Sequence, residues 1–420
     1  MTRRLILTIA LLAAVPLSAQ PIPRQDGGPQ TPDQPQGGTN GSLGIGISLS
    51  LGKKKPKEPP YTAPPLEMKD REIADYVAAQ VLFFINGDAA SAARIAKAAK
   101  VTIIETYMLD ELSEIMVLAK LAPGDSAEAA AMRLSKQKGV TSAQPNFQYQ
   151  LLGGNSRDKG FALHGVSVGT KTSISGSILM IDSPVDTANA ALKGANVQQV
   201  IFAKDSTPAA HGTAIAEILV GTGSFSGVAR GANLISLAAF EPAGESSWLS
   251  TTDKLARALN EASRRAPQVV NLSFGGNRDD AKMAQFLTLM DNKGVCVVAA
   301  AGNNGGTVRF PARAATVIAT TAIDSQKRAY GFASKGPEID VAAWGVSLSA
   351  AVPGGRRAVS GTSFATAVVS GSLLRLNGCN GGRSPSGTRA FLAGAAQDLG
   401  AKGRDDVFGA GLFRLSAKKQ

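Results

Sequence analysis

From Arg157 onward, short apolar runs alternate with segments of helical composition, and this alternation limits the fold more than any other feature. The strand candidates are Ser177–Ile181, Leu234–Ala238, Val269–Leu272, Val295–Ala300 and Thr316–Thr321. Between and after them, residues 212–220, 250–265, 280–292 and 362–376 read as helices. Runs that are apolar throughout suit strands buried on both faces, so the pattern predicts an α/β domain with a parallel sheet covered by helices on both sides. Functional groups then belong in the loops at the carboxyl ends of the strands.

A different pattern precedes this region. Within residues 78–152, the run Val81-Leu82-Phe83-Phe84-Ile85 is strand-like and the Ala-rich stretch 89–100 is helical. Val101–Tyr107 and Ile115–Leu121 read as two further strands. Ser126–Lys138 reads as a second helix capped by Asp125, and Val140–Leu152 as a closing extended segment. The order βαββαβ predicts a small ferredoxin-like α+β domain. It contains no histidine or cysteine, so a folding or inhibitory role is expected.

Residues 1–19 read as an export signal: Arg3 and Arg4 precede an apolar run too short to span a bilayer, followed by Ser18-Ala19. Residues 20–65, rich in Pro, Gly, Gln and Lys, read as a disordered tether. No stable membrane span is expected, and the expected location is the periplasm or the extracellular space. Lys and Arg exceed Asp and Glu by 44 to 32, a net charge of +12. The basic residues are not interleaved with aromatics, so nucleic acid is not an expected partner. Cys296 and Cys379 are the only cysteines; in an exported chain they either pair or remain two buried thiols.

The residues that carry chemistry are few. Ser363 follows Gly361-Thr362 and opens a small-residue helix, where unpaired N–H groups and the helix dipole stabilise developing negative charge. Of the two histidines, His164 has no partner signal, whereas His211 heads His211-Gly212-Thr213-Ala214 at a loop-to-helix junction. Asp182 ends a buried strand, a costly place for a carboxylate unless it is paired, which suits an orienter of an imidazole. Asn303, in Ala300-Ala301-Gly302-Asn303, follows another apolar strand, where its amide can donate to an oxyanion.

The order Asp182, His211, Ser363 is one of the known chain orders for serine catalysis, and here the sequence resembles the subtilisin-like serine proteases. The resemblance rests on Ile181-Asp182-Ser183, His211-Gly212-Thr213, Gly361-Thr362-Ser363, Val270-Asn271-Leu272-Ser273-Phe274-Gly275-Gly276 and Ala300-Ala301-Gly302-Asn303. It also takes in Phe310-Pro311-Ala312 and the closing Gly409-Ala410-Gly411-Leu412. The segment ending Ala143-Gln144-Pro145-Asn146-Phe147-Gln148-Tyr149 is similar to the family's inhibitory propeptide.

The resemblance implies a peptidase domain over 160–417, with catalytic Asp182, His211, Ser363 and Asn303. Ser273, Phe274, Gly275, Ala301 and Gly302 would bind substrate, with Ala299 to Gly302 leaving an open, mostly apolar pocket for the residue before the cut. It further implies a monomer acting on protein or peptide substrates and inhibited by its own propeptide, with self-cleavage within 150–160. No cofactor is evident. A structural calcium ion is compatible with the family but is not supported by the sparse acidic residues, so no metal ligand is named.

Three positions depart from the family pattern: Pro184, Ala367 and the Ala343-Trp344-Gly345 turn. Pro184 stands close enough to Asp182 to shift its loop. The alternative reading is therefore a catalytically silent relative serving as a binding or envelope-scaffold protein. An α/β-hydrolase esterase would need Gly-x-Ser-x-Gly around its nucleophile and the order Ser, acid, His; Ser363 follows both of its partners, and no histidine lies downstream of it.

Overall fold

The structure is a computed structural model that describes residues 73–155, 174–244, 247–379 and 385–413. The export signal, the tether and His164 lie outside the described residues. In the N-terminal part, β1 (Tyr76–Ile85), α1 (Ala89–Ala98), β2 (Thr102–Leu109), β3 (Glu114–Lys120), α2 (Ala127–Ser135) and β4 (Val140–Leu151) follow in the expected order. The four strands pair antiparallel in the order β2-β3-β1-β4. The Asp88 side chain caps α1 by accepting from the Ser91 N–H at 2.8 Å.

At α2 the expectation is corrected. Ser126, not Asp125, is the cap, accepting from the Ala129 N–H at 3.1 Å. Asp125 instead pairs with Arg133 one face along, and that guanidinium lowers its carboxyl pKa.

The uninterrupted apolar run of β1 has a clear cause. Val81, Phe83 and Ile85 pack with α1 and α2, while Leu82 and Phe84 point the other way, into a core shared with the C-terminal part. Strand residues alternate faces, so only a sheet covered on both sides can use apolar residues at every position.

The C-terminal part begins with β5 (Gly154–Asn155), β6 (Ser177–Asp182), β7 (Asn196–Ile201), α3 (Ala210–Val220), β8 (Asn233–Ala238), β9 (Glu241–Pro242) and β10 (Trp248–Thr251). It continues through α4 (Thr252–Arg265), β11 (Val269–Leu272), β12 (Phe274–Gly275), α5 (Ala281–Asn292), β13 (Cys296–Ala300), β14 (Val317–Ile323) and β15 (Ile339–Trp344). It ends with β16 (Leu348–Val352), β17 (Gly355–Ser360), α6 (Thr362–Arg375), α7 (Pro385–Ala395), β18 (Ala396–Gln397) and β19 (Leu412–Phe413).

The main sheet has the order β18-β19-β15-β14-β13-β11-β6-β8-β7 and is parallel except where β18 meets β19. One face (Ile178, Met180, Val298, Ile318) packs against α3 and α6; the other (Leu179, Ile181, Val297, Ala299) packs against α4 and α5. This is the predicted doubly covered α/β sheet.

The N-terminal sheet continues through β4 into a seven-stranded sheet with strands of the C-terminal part, and a three-stranded sheet follows. Strand β4 lies between β10 and β12, antiparallel to both, with Tyr149 opposite Ser250, Gln150 opposite Leu249 and Gly275, and Leu151 opposite Phe274. After Leu152 and Gly153, β5 pairs antiparallel with β17, and β17 with β16. The chain therefore runs extended and uninterrupted along the carboxyl ends of the main-sheet strands.

Cys296 and Cys379 are joined in a disulfide with a Cα–Cα separation of 5.9 Å. This settles the open choice between a pair and two thiols. The bond ties the start of β13, which leads towards Asn303, to the segment just beyond α6, which carries Ser363.

Candidate active site

Asp182 is the last residue of β6 and is fully buried. Its Oδ1 accepts from the Ser183 N–H at 2.7 Å and the Ser183 hydroxyl at 3.1 Å. Both carboxylate oxygens face His211 Nδ1, at 2.8 and 3.0 Å. Two donors on the carboxylate fix its plane, and the carboxylate in turn fixes the tautomer that leaves Nε2 as the basic nitrogen.

His211 stands at the start of α3, held close to the Asp182 loop by its neighbour. The Gly212 N–H donates to Ser183 Oγ at 3.0 Å, and a Cβ on Gly212 would lie 2.3 Å from the Ser183 carbonyl oxygen. Only glycine permits that approach. Pro184 does not displace the carboxylate: it is buried, its carbonyl accepts from the Ala209 N–H at 2.8 Å, and the Asp182–His211 contact forms beside it.

Ser363 is the second residue of α6, entered through Gly361 at φ +149°. A backbone N–H in the first helical turn has no partner within the helix. That of Ser363 donates to the Leu152 carbonyl oxygen at 3.1 Å. Asn303, almost fully buried, is oriented by Thr362, whose N–H and hydroxyl donate to Asn303 Oδ1 at 3.0 and 2.9 Å. Its Nδ2 is thereby turned away from Thr362. The point where a Cβ on Gly361 would stand lies 3.0 Å from Asn303 Nδ2 and 2.7 Å from the Leu152 oxygen. The Leu152 carbonyl thus accepts from the Ser363 N–H beside a backbone that must be glycine, and both it and Asn303 Nδ2 crowd the place where a Gly361 side chain would stand.

On the other side of the same peptide bond is Gly153. A Cβ there would lie 3.3 Å from His211 Nε2 and 2.7 Å from the Phe364 ring. His211 Nε2 is buried and has no hydrogen-bond partner. The Ser363 hydroxyl does not point at it; it donates to the Ser273 carbonyl at 2.8 Å, which also accepts from the Leu152 N–H at 3.1 Å. The Ser273 hydroxyl in turn donates to the Ser363 carbonyl at 3.0 Å and accepts from Asn271 Nδ2 at 2.9 Å.

The structure therefore brings Asp182, His211, Asn303, Ser363 and the strand 273–275 around the bond between Leu152 and Gly153.

The remaining expected binding residues are placed as follows. Phe274 and Gly275 pair with Leu151 and Gln150. Ala301 is buried, and its carbonyl accepts from the Arg309 N–H at 2.9 Å. At Gly302 (φ +122°) a Cβ would lie 3.2 Å from Arg309 Cγ, and at Gly275 one would lie 2.9 Å from both Arg309 Cβ and Leu152 Cδ1. Arg309, only 3% exposed, therefore fills space beside Leu152 that the small residues 299–302 alone would leave open.

Sequence reasoning also missed β10 as the second strand flanking β4, because residues 250 and 251 read as part of a helix. The missed polar pocket around Tyr149 lies between β12 and α5. The Tyr149 phenol pKa is pushed well above its ordinary value by burial, and further by the charge of Asp280.

A buried Asp–His pair, a serine at a helix N-terminus and an amide nearby, at one end of a parallel sheet, match the arrangement of serine hydrolases of the Asp-His-Ser order. Residues 138–411 match the subtilase family (peptidase S8), and residues 62–146 match the fervidolysin N-terminal prodomain. The chain belongs to the subtilase family of serine peptidases.

Subtilisin Savinase of Lederbergia lenta is 31% identical over 209 residues, which cover 49% of this chain and 76% of that one. An alkaline protease of Shouchella clausii is also 31% identical over 209 residues, covering 54% of its length. Among solved structures, fervidolysin from Fervidobacterium pennivorans, a keratinolytic enzyme related to subtilisin, shares the fold with a TM-score of 0.68. Its identity is 20%, over 84% of this chain and 64% of that one.

Proposed function

We propose that this subtilase is an exported serine endopeptidase that works through an acyl-enzyme and first cuts its own chain between Leu152 and Gly153. The observation that carries the reading is the position of that bond, with its carbonyl oxygen on the Ser363 N–H and its leaving side against His211 Nε2. Rotation about the Ser363 Cα–Cβ bond releases Oγ from the Ser273 carbonyl and brings it to Nε2. Oγ then attacks the Leu152 carbonyl carbon while Nε2 takes its proton. The Asp182 carboxylate stabilises the imidazolium, and the Ser363 N–H with the Asn303 amide holds the oxyanion.

Collapse breaks the Leu152–Gly153 C–N bond, and His211 passes the proton to the Gly153 nitrogen. Water, deprotonated by the same imidazole, then releases Leu152 as a carboxylate. Loss of the Asn303 donor costs on the order of 10²–10³ in kcat, a magnitude known from a subtilisin itself.

After the cut, β4 still lies between β10 and β12 as a product-like inhibitor, and extended substrates enter the same strand position once it leaves. Protein or peptide substrates met in the periplasm or outside the cell complete this reading.

The test compares wild type with Ser363→Ala. Wild type yields a fragment beginning at Gly153 and cleaves a peptide library, whereas Ser363→Ala stays intact and inactive. Equal processing of the two chains overturns self-cleavage, and an inert library with processed wild type overturns the peptidase reading.

A further inference from the structure

The prodomain strand delivers one side chain into a pocket that the bond-breaking chemistry does not use. Counting back from the Leu152–Gly153 bond, the fourth residue is Tyr149, fully buried although it is among the largest side chains of the chain. Its ring meets Phe274 edge-on, with centroids 5.9 Å apart and planes at 80°. Its flank lies against Gly276, where a Cβ would come within 2.8 Å of ring Cδ1. These walls would take any aromatic ring.

The floor of the pocket is different. The Tyr149 hydroxyl donates to Asp280 Oδ2 at 2.9 Å, and the Thr252 hydroxyl donates to the same oxygen at 2.6 Å. Asp280 is 1% exposed and Thr252 fully buried.

Asp280 also caps α5, but with its other oxygen. Oδ1 accepts from the Lys282 and Met283 N–H groups, both at 3.0 Å, and from Gln144 Nε2 at 2.9 Å. Capping alone needs one oxygen on a short side chain, and serine serves as well as aspartate there. The second oxygen faces the pocket. A buried carboxylate oxygen is costly unless donors reach it, and a phenylalanine ring in this position would expel water and leave Oδ2 with Thr252 alone.

We propose that Asp280 makes this pocket select tyrosine over phenylalanine at the fourth position before the cut, in substrates as well as in the chain's own prodomain. The proposal rests on the peptidase reading above and adds a substrate class to it. A site built to bond a hydroxyl rejects the analogue lacking it because its own polar group is left unpaired. For a charged acceptor the discrimination is about 10- to 100-fold in kcat/KM.

The test uses processed wild type and two peptides, Gln-Tyr-Gln-Leu-Leu-Gly-Gly-Asn and the same sequence with Phe for Tyr. The tyrosine peptide is cleaved about 10- to 100-fold more efficiently, and the ratio falls towards one in Asp280→Ser, which keeps a helix cap but has no second oxygen. Equal cleavage of both peptides by wild type overturns the selectivity and leaves the peptidase reading standing. Cleavage of neither overturns both. The wild-type ratio needs no variant to fold, and an unchanged ratio in Asp280→Ser transfers the preference away from Asp280 and overturns the assignment.

Discussion

Removing one carboxylate from the prodomain tests whether its docking depends on charge compensation. Glu114 on β3 pairs with Lys282 on α5, and the Lys282 side chain is 1% exposed. The ammonium has two other neighbours, Gln285 Oε1 at 2.7 Å and the face of the Phe84 ring, 4.1 Å to its centroid. Neither carries a charge. In Glu114→Leu, docking buries the ammonium without its counter-ion, whereas in the undocked enzyme water solvates it, so the whole penalty falls on docking.

Breaking a buried pair from one side costs about 3–5 kcal/mol. Because Gln285 and Phe84 remain, the lower end applies, and about 3 kcal/mol weakens prodomain inhibition by about two powers of ten. The assay is Ki of the self-cleaved complex, read from recovery of peptidase activity on dilution. The double variant Glu114→Leu, Lys282→Met should recover most of the loss, because an apolar pair of similar volume replaces a buried ion pair at little cost. A change in Ki below threefold in the single variant, or a double variant as weak as the single, would refute the argument. The more exposed pairs Glu105–Arg257 and Asp75–Arg278 are poor targets, since such bridges contribute only about 0–1 kcal/mol.

Three further outcomes are expected. Gly153→Val places a Cβ within 2.7 Å of the Phe364 ring, so the Leu152–Gly153 bond no longer seats; mass spectrometry of the processed chain should find that cut lost or moved, and a normal cut at the normal rate refutes the close-approach argument. The disulfide closes a loop of sequence separation 83, worth up to about 4.5 kcal/mol by loop entropy; Cys379→Ser should lower unfolding stability by about 2–4 kcal/mol, and two alkylatable thiols in denatured, unreduced wild type would refute the pairing. Tyr149, whose pKa is raised first by burial and then by Asp280, is held neutral in the fold, so its contribution is complete below the unfolded value near pH 10 and is lost as pH rises beyond it towards the raised folded value. In the uncut Ser363→Ala chain, unfolding stability should therefore fall more steeply above about pH 10 than when Tyr149→Phe is added; identical slopes would refute the assignment.

The central strands of the main sheet were legible because apolar residues dominate both of their faces, as suits a strand covered on both sides. Its polar edge was not: β7, Asn196-Val197-Gln198-Gln199-Val200-Ile201, carries too little apolar pattern to stand out from a loop. Asp182, His211, Asn303 and Ser363 could be picked out because each sits at the end of a strand or the start of a helix, positions that local sequence marks. The disulfide could not be read, since sequence separation says nothing of distance. Arg309 was also invisible. An arginine reads as a surface residue, and here it is buried because Gly275 and Gly302, far apart in sequence, leave room for its stem.

The same reasoning explains why specificity is harder to read than chemistry. The reacting groups all come from one half of the chain, each with its own local signature. The pocket around Tyr149 is formed within that same part, by Phe274, Gly276, Thr252 and Asp280, but these residues are scattered in sequence, and Asp280 shows only its capping role until Tyr149 is set against its second oxygen. In an uncut chain the best record of what the cleft accepts is the segment already lying in it, Tyr149-Gln150-Leu151-Leu152-Gly153. Each feature of that segment has a counterpart in the wall: a carboxylate for the phenol, Arg309 and Gly275 beside the Leu152 side chain, and the Phe364 ring where Gly153 has no side chain.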